Sequence, residues 1–506
     1  MIKRRQFLLT STGLLVASRA IPSWGAQAPG NPFSLGVASG SPRPHSVVLW
    51  TRLAPDPMNG GGMPMEDVEV RVRICRDEQM RDQVLDRQVI APAEDAHSVH
   101  YLATGLQPGT EYFYRFYLGD DASVIGRTRT APALDSDEPL TVAVASCQHL
   151  ETGLYTAYRD MAEQRPDLVI HLGDYIYEYG PGDSSRVRQH IGQETRTLLD
   201  YRNRYAQYKS DPHLQAAHAA SPWLLSLDDH EIDNNWAGYT PEDPDSQTEL
   251  EFRVRRWAAL KAYYEHMPLE RRPSLAGLDS SLPLYDTYDF GRQVRILLMD
   301  TRQYRSDQVC SQAFPSAPEC EARQNENLTM TGRDQEQFLL RFLTENRARW
   351  QLLAQQTWFT RFRYPGNEYN MDQWDGYASQ QARIRDWLAA PELSNPVILS
   401  GDWHCGCAMD VPTDFDDPES PPVAAELATT SISSRCPWAS AVARALAENP
   451  QVRYWSDDRR GYVLCRIDSS QLQADYRLVS DPRLPDASVS TDGLLVVESG
   501  SRGFAA

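Results

Sequence analysis

Four apolar runs that read as buried strands each end in a cluster of metal-ligating residue types, and no other feature constrains the fold as strongly. Val142–Ala145 leads to Cys147, Leu168–Leu172 to Asp174 and Tyr177, Trp223–Leu227 to the Asp228–Glu231 cluster, and Val397–Ser400 to Asp402 and His404. In an open α/β sheet, residues distant in sequence converge at the carboxyl ends of strands. The pattern therefore predicts an α/β domain with one shared metal site.

Before the first of these runs the pattern changes. Ser46–Leu53, Val68–Cys75 and Glu111–Gly119 alternate apolar and polar residues, and Leu106–Tyr112 places Pro and Gly in a turn, which predicts an amino-terminal antiparallel β-sandwich over residues 33–132. Ala131–Glu138 reads as a linker. From residue 140, strands alternate with helical patterns at Leu154–Glu163, Glu251–Tyr264 and Arg333–Ala348, as expected of an α/β catalytic domain over 140–485. Arg292–Asp300 and Trp350–Thr357 add buried strands. Gly461–Asp468 and Gln473–Val479 read as a closing hairpin, and 486–506 as a carboxyl-terminal tail.

At 506 residues the chain is long enough for two or three cores. Its 50 basic and 69 acidic residues leave a net charge of −19, which repels phosphate backbones and anionic lipid and argues against a docked nucleic-acid polymer. A local well of metal ions still suits a small anion. Basic Met1–Arg5 followed by apolar Phe7–Val16 reads as a secretory signal, too short for a membrane span. Arg4 and Arg5 before Phe7 and Leu8 resemble a twin-arginine signal over residues 1–28, implying the twin-arginine export machinery as a partner and a periplasmic or secreted location. An uncleaved anchor is the alternative.

The clusters offer distinct donors. Asp174 and Tyr177 are spaced so that a loop can wrap one ion, a carboxylate can bridge two cations, and a phenolate suits ferric iron. A thiolate from Cys147 and an imidazole from His404 complete a sulfur, oxygen and nitrogen set. The bland reading is a packed aromatic for Tyr177 and a small hydrophobe for Cys147. Asp402 and His404 fall on one side if the strand stays extended. In Asp228–Asn235, Asp229 is the preferred ligand and His230 is placed to protonate a leaving group or meet phosphoryl oxygens. Asp228, Asn234 and Asn235 suit a hard cation such as calcium, or else orient the loop, while Glu231 and Asp233 are expected behind them or in solvent. Arg302 and Arg305, after another buried strand, could reach a phosphate or pair with acids. Of the eight cysteines, Cys310 and Cys320 could close a loop, and Cys405, Cys407 and Cys436 offer a second possible bridge.

The ordered set ASCQ, GDYIYEYG, DDHEIDNNW, MDTRQYR and GDWH, after FSLGVASGSPRPHSVVLWTRL, resembles the PhoD-type alkaline phosphatases over nearly the whole mature chain. The resemblance implies a β-sandwich followed by a four-layer α-β-β-α calcineurin-like metallophosphoesterase domain, with Fe3+ and Ca2+ as cofactors. By matching motif, Cys147, Asp174, Tyr177 and His404 hold iron, Asp174 bridges to calcium, and Asp229 and Asp402 help hold calcium. His230 matches the histidine that follows a metal-binding Asn in the wider superfamily. Cys147, Asp229 and Asp402 depart from that superfamily in ways that fit the PhoD branch.

The expected function is hydrolysis of a small phosphate ester by a metal-bound hydroxide attacking phosphorus in line, with Asp229 and His230 as catalytic residues. A phosphodiesterase or phospholipase D-like activity on the same fold is one alternative. A non-catalytic exported β-sandwich binding protein, in which the clusters need not meet, is another. A carboxylate-pair glycosidase would leave Cys147 and Tyr177 without a role.

Overall fold

In this computed structural model, which describes residues 30–183, 185–310, 313–417 and 419–505, two large sheets lie face to face. The expected export signal, residues 1–28, lies outside the described residues. The first sheet has nine strands in the order Val489–Glu498, Gln471–Val479, Gly461–Ile467, Leu140–Ala145, Leu168–His171, Pro222–Leu225, Val37–Arg43, Ser46–Arg52 and Ser98–Thr104. The second runs Asp286–Phe290, Val294–Leu298, Trp350–Ala354, Pro396–Ser400, Pro422–Ala428, Cys407–Pro412 and Val452–Trp455.

Alternation along the buried strands explains the layering. Val142 and Val144 point between the sheets with Leu168, Ile170, Leu224, Ile296, Leu352, Val397 and Leu427. Ala143, Ala145 and Val169 point outward to Tyr158, Tyr205 and Leu260, on helices Thr156–Gln164, Leu198–Lys209 and Glu249–His266. On the far side Ile398 and Leu297 meet Leu339, Phe342 and Ile384 of helices Gly332–Glu345 and Ala378–Leu388. Strands apolar on both faces must be covered on both, and the result is the expected α-β-β-α stack. Thr197 and Thr248 cap two of these helices in capping boxes with Asp200 and Glu251.

The amino-terminal sandwich packs a five-stranded sheet, centred on Val68–Cys75 and Glu111–Leu118, over Val37, Val47, Leu49 and Val99. Its other sheet does not stop at the expected domain border. Val37–Arg43 pairs in parallel with Pro222–Leu225, through Ser39 opposite Pro222 and Gly40 opposite Trp223, so the sandwich continues the catalytic sheet. Gly40 lets the chains meet, since a Cβ there would strike the Pro268 carbonyl. Residues 486–505, the described part of the expected tail, are likewise no free end. Val489–Glu498 pairs with Gln471–Val479 as the edge strand, with Val497 and Phe504 buried. Its outer half, Ser490–Gly493, is polar, which hid the period-two signal.

Candidate metal centre

All four clusters meet at the carboxyl ends of strands from both sheets. The ligand atoms of Cys147, Asp174 and His404 lie within 4.8 Å of one another, as do those of Asp174, Asp229 and His230, and those of Asp228, Asp229 and Asp402. Tyr177 Oη donates to Asp174 at 2.8 Å and lies 3.1 Å from His404 Nε2, which places the phenol within the first group. Every one of these residues except Asp402 and His404 is buried in the strict sense, and those two are largely so.

The backbone is bent to achieve this. Cys147, Asp174, Asp402 and His404 all have φ between +56° and +63°, a left-handed region that costs a non-glycine residue roughly 1–3 kcal/mol. The extended path expected for Asp402 and His404 is therefore corrected: two left-handed residues, not strand alternation, turn them to one site. Gly173, at φ +108°, makes room, since a Cβ there would overlap the Asp228 backbone. Cys147 N–H donates to the Gly173 carbonyl at 3.1 Å and Gln148 N–H to that of Asp174 at 3.0 Å, tying the first two loops together.

The electrostatics call for cations. Burial, with Asp174 and Asp402 nearby, pushes the Cys147 thiol far up, and burial with Asp174 and Cys147 does the same to the Tyr177 phenol. Burial and mutual repulsion also raise Asp174, Asp228 and Asp402. Burial opposes ionisation of Asp229 as well, but Arg302 and His230 outweigh it and hold that carboxyl below its usual range. Asp174 Oδ1 is buried with no hydrogen-bond partner. Burial lowers His404 to about 3, so its imidazole is neutral; Nδ1–H donates to the Arg435 carbonyl at 2.7 Å, leaving Nε2 as the lone-pair donor. An orphaned carboxylate oxygen, a neutral imidazole with its tautomer fixed, and a thiol and phenol that ionise only beside positive charge fit a metal centre.

The remaining predicted residues divide. His230 lines the cleft, stacks on the Tyr177 ring at 4.1 Å, and pairs through Nδ1 with Glu178 at 2.8 Å. Burial works against a charge on His230, but Glu178, Asp229 and Asp174 together favour it. Asn234 and Asn235 also line the cleft, and Asn235 N–H donates to Asp229 at 2.8 Å. Glu231 sits behind, accepting from Asp228 N–H at 2.8 Å and Tyr175 N–H at 2.5 Å. Arg302 is not placed to meet a phosphate. Fully buried, it pairs with Asp228 and with Asp372 at 2.9 Å, as the counter-charge beneath the carboxylates. Arg305 joins Asp372 at 2.6 Å.

Sequence reasoning missed Glu178, His149, Asp372, Arg186 and Arg435, all at or beside a cleft of about 690 Å³ over the centre. Glu178 stood inside a quoted motif and its acid next to Tyr177 was the available signal. Asp372 follows only the two-residue strand Glu368–Tyr369, with no apolar run before it, so nothing marked it. Cys310 and Cys320 form a disulfide; Cys405, Cys407 and Cys436 are free thiols, so the second bridge is absent here.

A four-layer fold carrying sulfur, oxygen and nitrogen donors at its strand ends defines a hydrolase of the metallophosphoesterase class. The chain matches the PhoD-like phosphatase model over residues 142–476 and the PhoD-like phosphatase N-terminal domain over 18–132. It is 43% identical over 484 residues to alkaline phosphatase D of Bacillus subtilis (strain 168), covering 94% of this chain and 82% of that protein. The solved structure of PhoD matches with a TM-score of 0.88 at 43% identity, over 93% of this chain and 91% of that one. Purple acid phosphatase PPD1 from yellow lupin seeds shares the fold, with a TM-score of 0.52 at 13% identity over 90% of this chain and 72% of that one. The chain belongs to the PhoD-like phosphatase family and is a phosphoric ester hydrolase of that type.

Proposed function

We propose that this is an exported enzyme in which Cys147, Asp174, Tyr177 and His404 hold ferric iron, while Asp174, Asp229 and Asp402, with Asp228 and the Asn234–Asn235 turn close by, hold calcium. The observation that carries this reading is the meeting of one thiol, one phenol, one imidazole and a shared carboxylate at Asp174. Bound there, the cations would supply Lewis acidity that polarises the phosphoryl group and lowers the pKa of water.

The chain's own residues do the rest. Glu178 fixes the His230 ring through Nδ1, which leaves Nε2 to hold a proton and pass it to the departing oxygen. Glu178, which takes no part in holding the metals, favours the charged ring that this step needs. The Asn235 N–H steadies Asp229, and Tyr177 and His149 wall the site against bulk water. A binding protein with scattered clusters does not fit, because the clusters converge. The diester reading draws support from the cleft, which with Arg186 and Arg435 on its walls exceeds the needs of one phosphoryl group.

Elemental analysis and visible absorption of protein exported by its native host test the metals. Iron bound by tyrosinate and thiolate gives a coloured protein whose band shifts in Tyr177→Phe. A colourless, iron-free and fully active enzyme would sink the assignment. Turnover of an aryl monoester against its diester sets the substrate class, and export lost on Arg4→Lys/Arg5→Lys tests the signal.

A further inference from the structure

Beside the metal centre, a ladder of aromatic rings climbs the cleft wall. The Trp438 ring lies 5.1 Å from the His404 imidazole, Phe314 stands perpendicular to Trp438 at 4.8 Å, and Trp403 backs both, at 5.0 Å from Trp438 and 5.6 Å from Phe314. All three line the cleft. Trp403 is a packed residue, 4% exposed, with Nε1–H donating to Tyr364 Oη at 3.1 Å; Trp438 Nε1–H donates to the Trp403 carbonyl at 3.1 Å. These bonds fix the platform. Phe314 differs: it is 58% exposed, on a loop whose ends the Cys310–Cys320 disulfide ties. Core packing accounts for Trp403 but not for a largely exposed phenyl ring on the wall of the active-site cleft.

We propose that Phe314 and Trp438 form the subsite for the alcohol portion of the ester and select alcohols that carry an aromatic ring. The ladder is continuous with the centre: a phosphoryl group beside His404 puts the oxygen-linked substituent against Trp438, and a ring there stacks or packs edge-on against the face that Trp438 and Phe314 present to the cleft. This rests on the phosphoric ester hydrolase reading and adds a substrate class to it.

The test compares benzyl with ethyl phosphate, as monoesters and as their methyl diesters, on the metal-loaded full chain. Benzyl alcohol and ethanol are alkyl alcohols of similar acidity, so the ratio of the kcat/KM values reports the subsite rather than leaving-group reactivity. The ratio favours benzyl in the native protein, falls about two- to tenfold through KM in Phe314→Ala and in Trp438→Ala, and is retained in Phe314→Trp. Leu494→Ala, exposed on the Val489–Glu498 edge strand, leaves it unchanged. Calorimetric binding of benzylphosphonate against methylphosphonate gives a readout that needs no turnover. A ratio and a binding preference both unchanged in Phe314→Ala overturn the subsite and spare the hydrolase reading. A phosphonate preference that depends on Phe314, in a protein that hydrolyses none of these esters, supports the subsite and overturns the hydrolase reading.

Discussion

Cys147, Asp174, Asp402 and His404 share one backbone conformation that none of them favours, and this ties local strain to the site. Left-handed residues without glycine persist only where surrounding structure over-determines them. Here the strands fix each loop and the loops then aim their side chains inward. Replacing Cys147 by Ser keeps the size but removes the soft donor, so the metal proposed to sit there should be lost and turnover should fall by about 100-fold or more, measured by elemental analysis and initial rates. Glu178→Gln separates orienting from ligating. Its carboxylate accepts from Asn234 N–H at 2.9 Å and holds His230, so the variant keeps its metal but loses about 10- to 100-fold in kcat. Equal loss of metal in both variants would show that Glu178 acts on the ions rather than on the histidine.

At the level of elements, the loops after Leu168–His171 and after Pro222–Leu225 depend on each other. Gly173 lies so close to Asp228 that any side chain must push the two apart. Gly173→Ala is expected to cost about 2 kcal/mol or more, from lost left-handed freedom plus the clash, and to weaken metal binding as well. A urea midpoint equal to that of the parent protein would refute it. The strands themselves were legible in the sequence: Val68–Cys75 is bounded as read, and Trp350–Ala354 and Gly461–Ile467 fall within their expected runs. Period-two alternation and continuous apolar runs are local signals. The Val489–Glu498 strand was not legible, because an edge strand buries little and its first half is almost wholly Ser, Thr, Asp and Gly.

For the molecule as a whole, the seam between sandwich and catalytic layers sets a pH dependence. Lys209, 1% exposed, holds its ammonium 4.3 Å from the Trp50 ring at that seam, and burial lowers its pKa from 10.5 to about 7. Between those values the unfolded chain binds the proton and the folded one does not, so stability rises with pH across that window, by on the order of 5 kcal/mol from this residue alone. His171, fully buried, is lowered by burial to about 3. From its ordinary value of 6.5 downward the unfolded chain again binds the extra proton, and stability falls as pH falls. Urea unfolding of the native chain and of Lys209→Met between pH 7 and 10 isolates this contribution: the variant should be the more stable of the two at pH 7, and its advantage should shrink toward pH 10. A slope unchanged in that variant would assign it to other groups.

The sequence alone determined the strand-forming runs, the donor types that follow them, the two-part architecture and the family resemblance, because periodicity and residue chemistry are properties of short segments. Tertiary structure decided the rest. It turned Asp402 and His404 by left-handed backbone rather than strand alternation, and it sank Arg302 beneath the carboxylates instead of presenting it to phosphate. It brought Glu178 to His230, Asp372 to Arg302 and Phe314 to Trp438. It also fused the sandwich to the catalytic sheet through Ser39 and Pro222. The pairings among these join segments far apart along the chain, and the left-handed turns persist only because that packing holds them; neither period nor motif carries such information, and only the packing of whole layers sets which side chains meet.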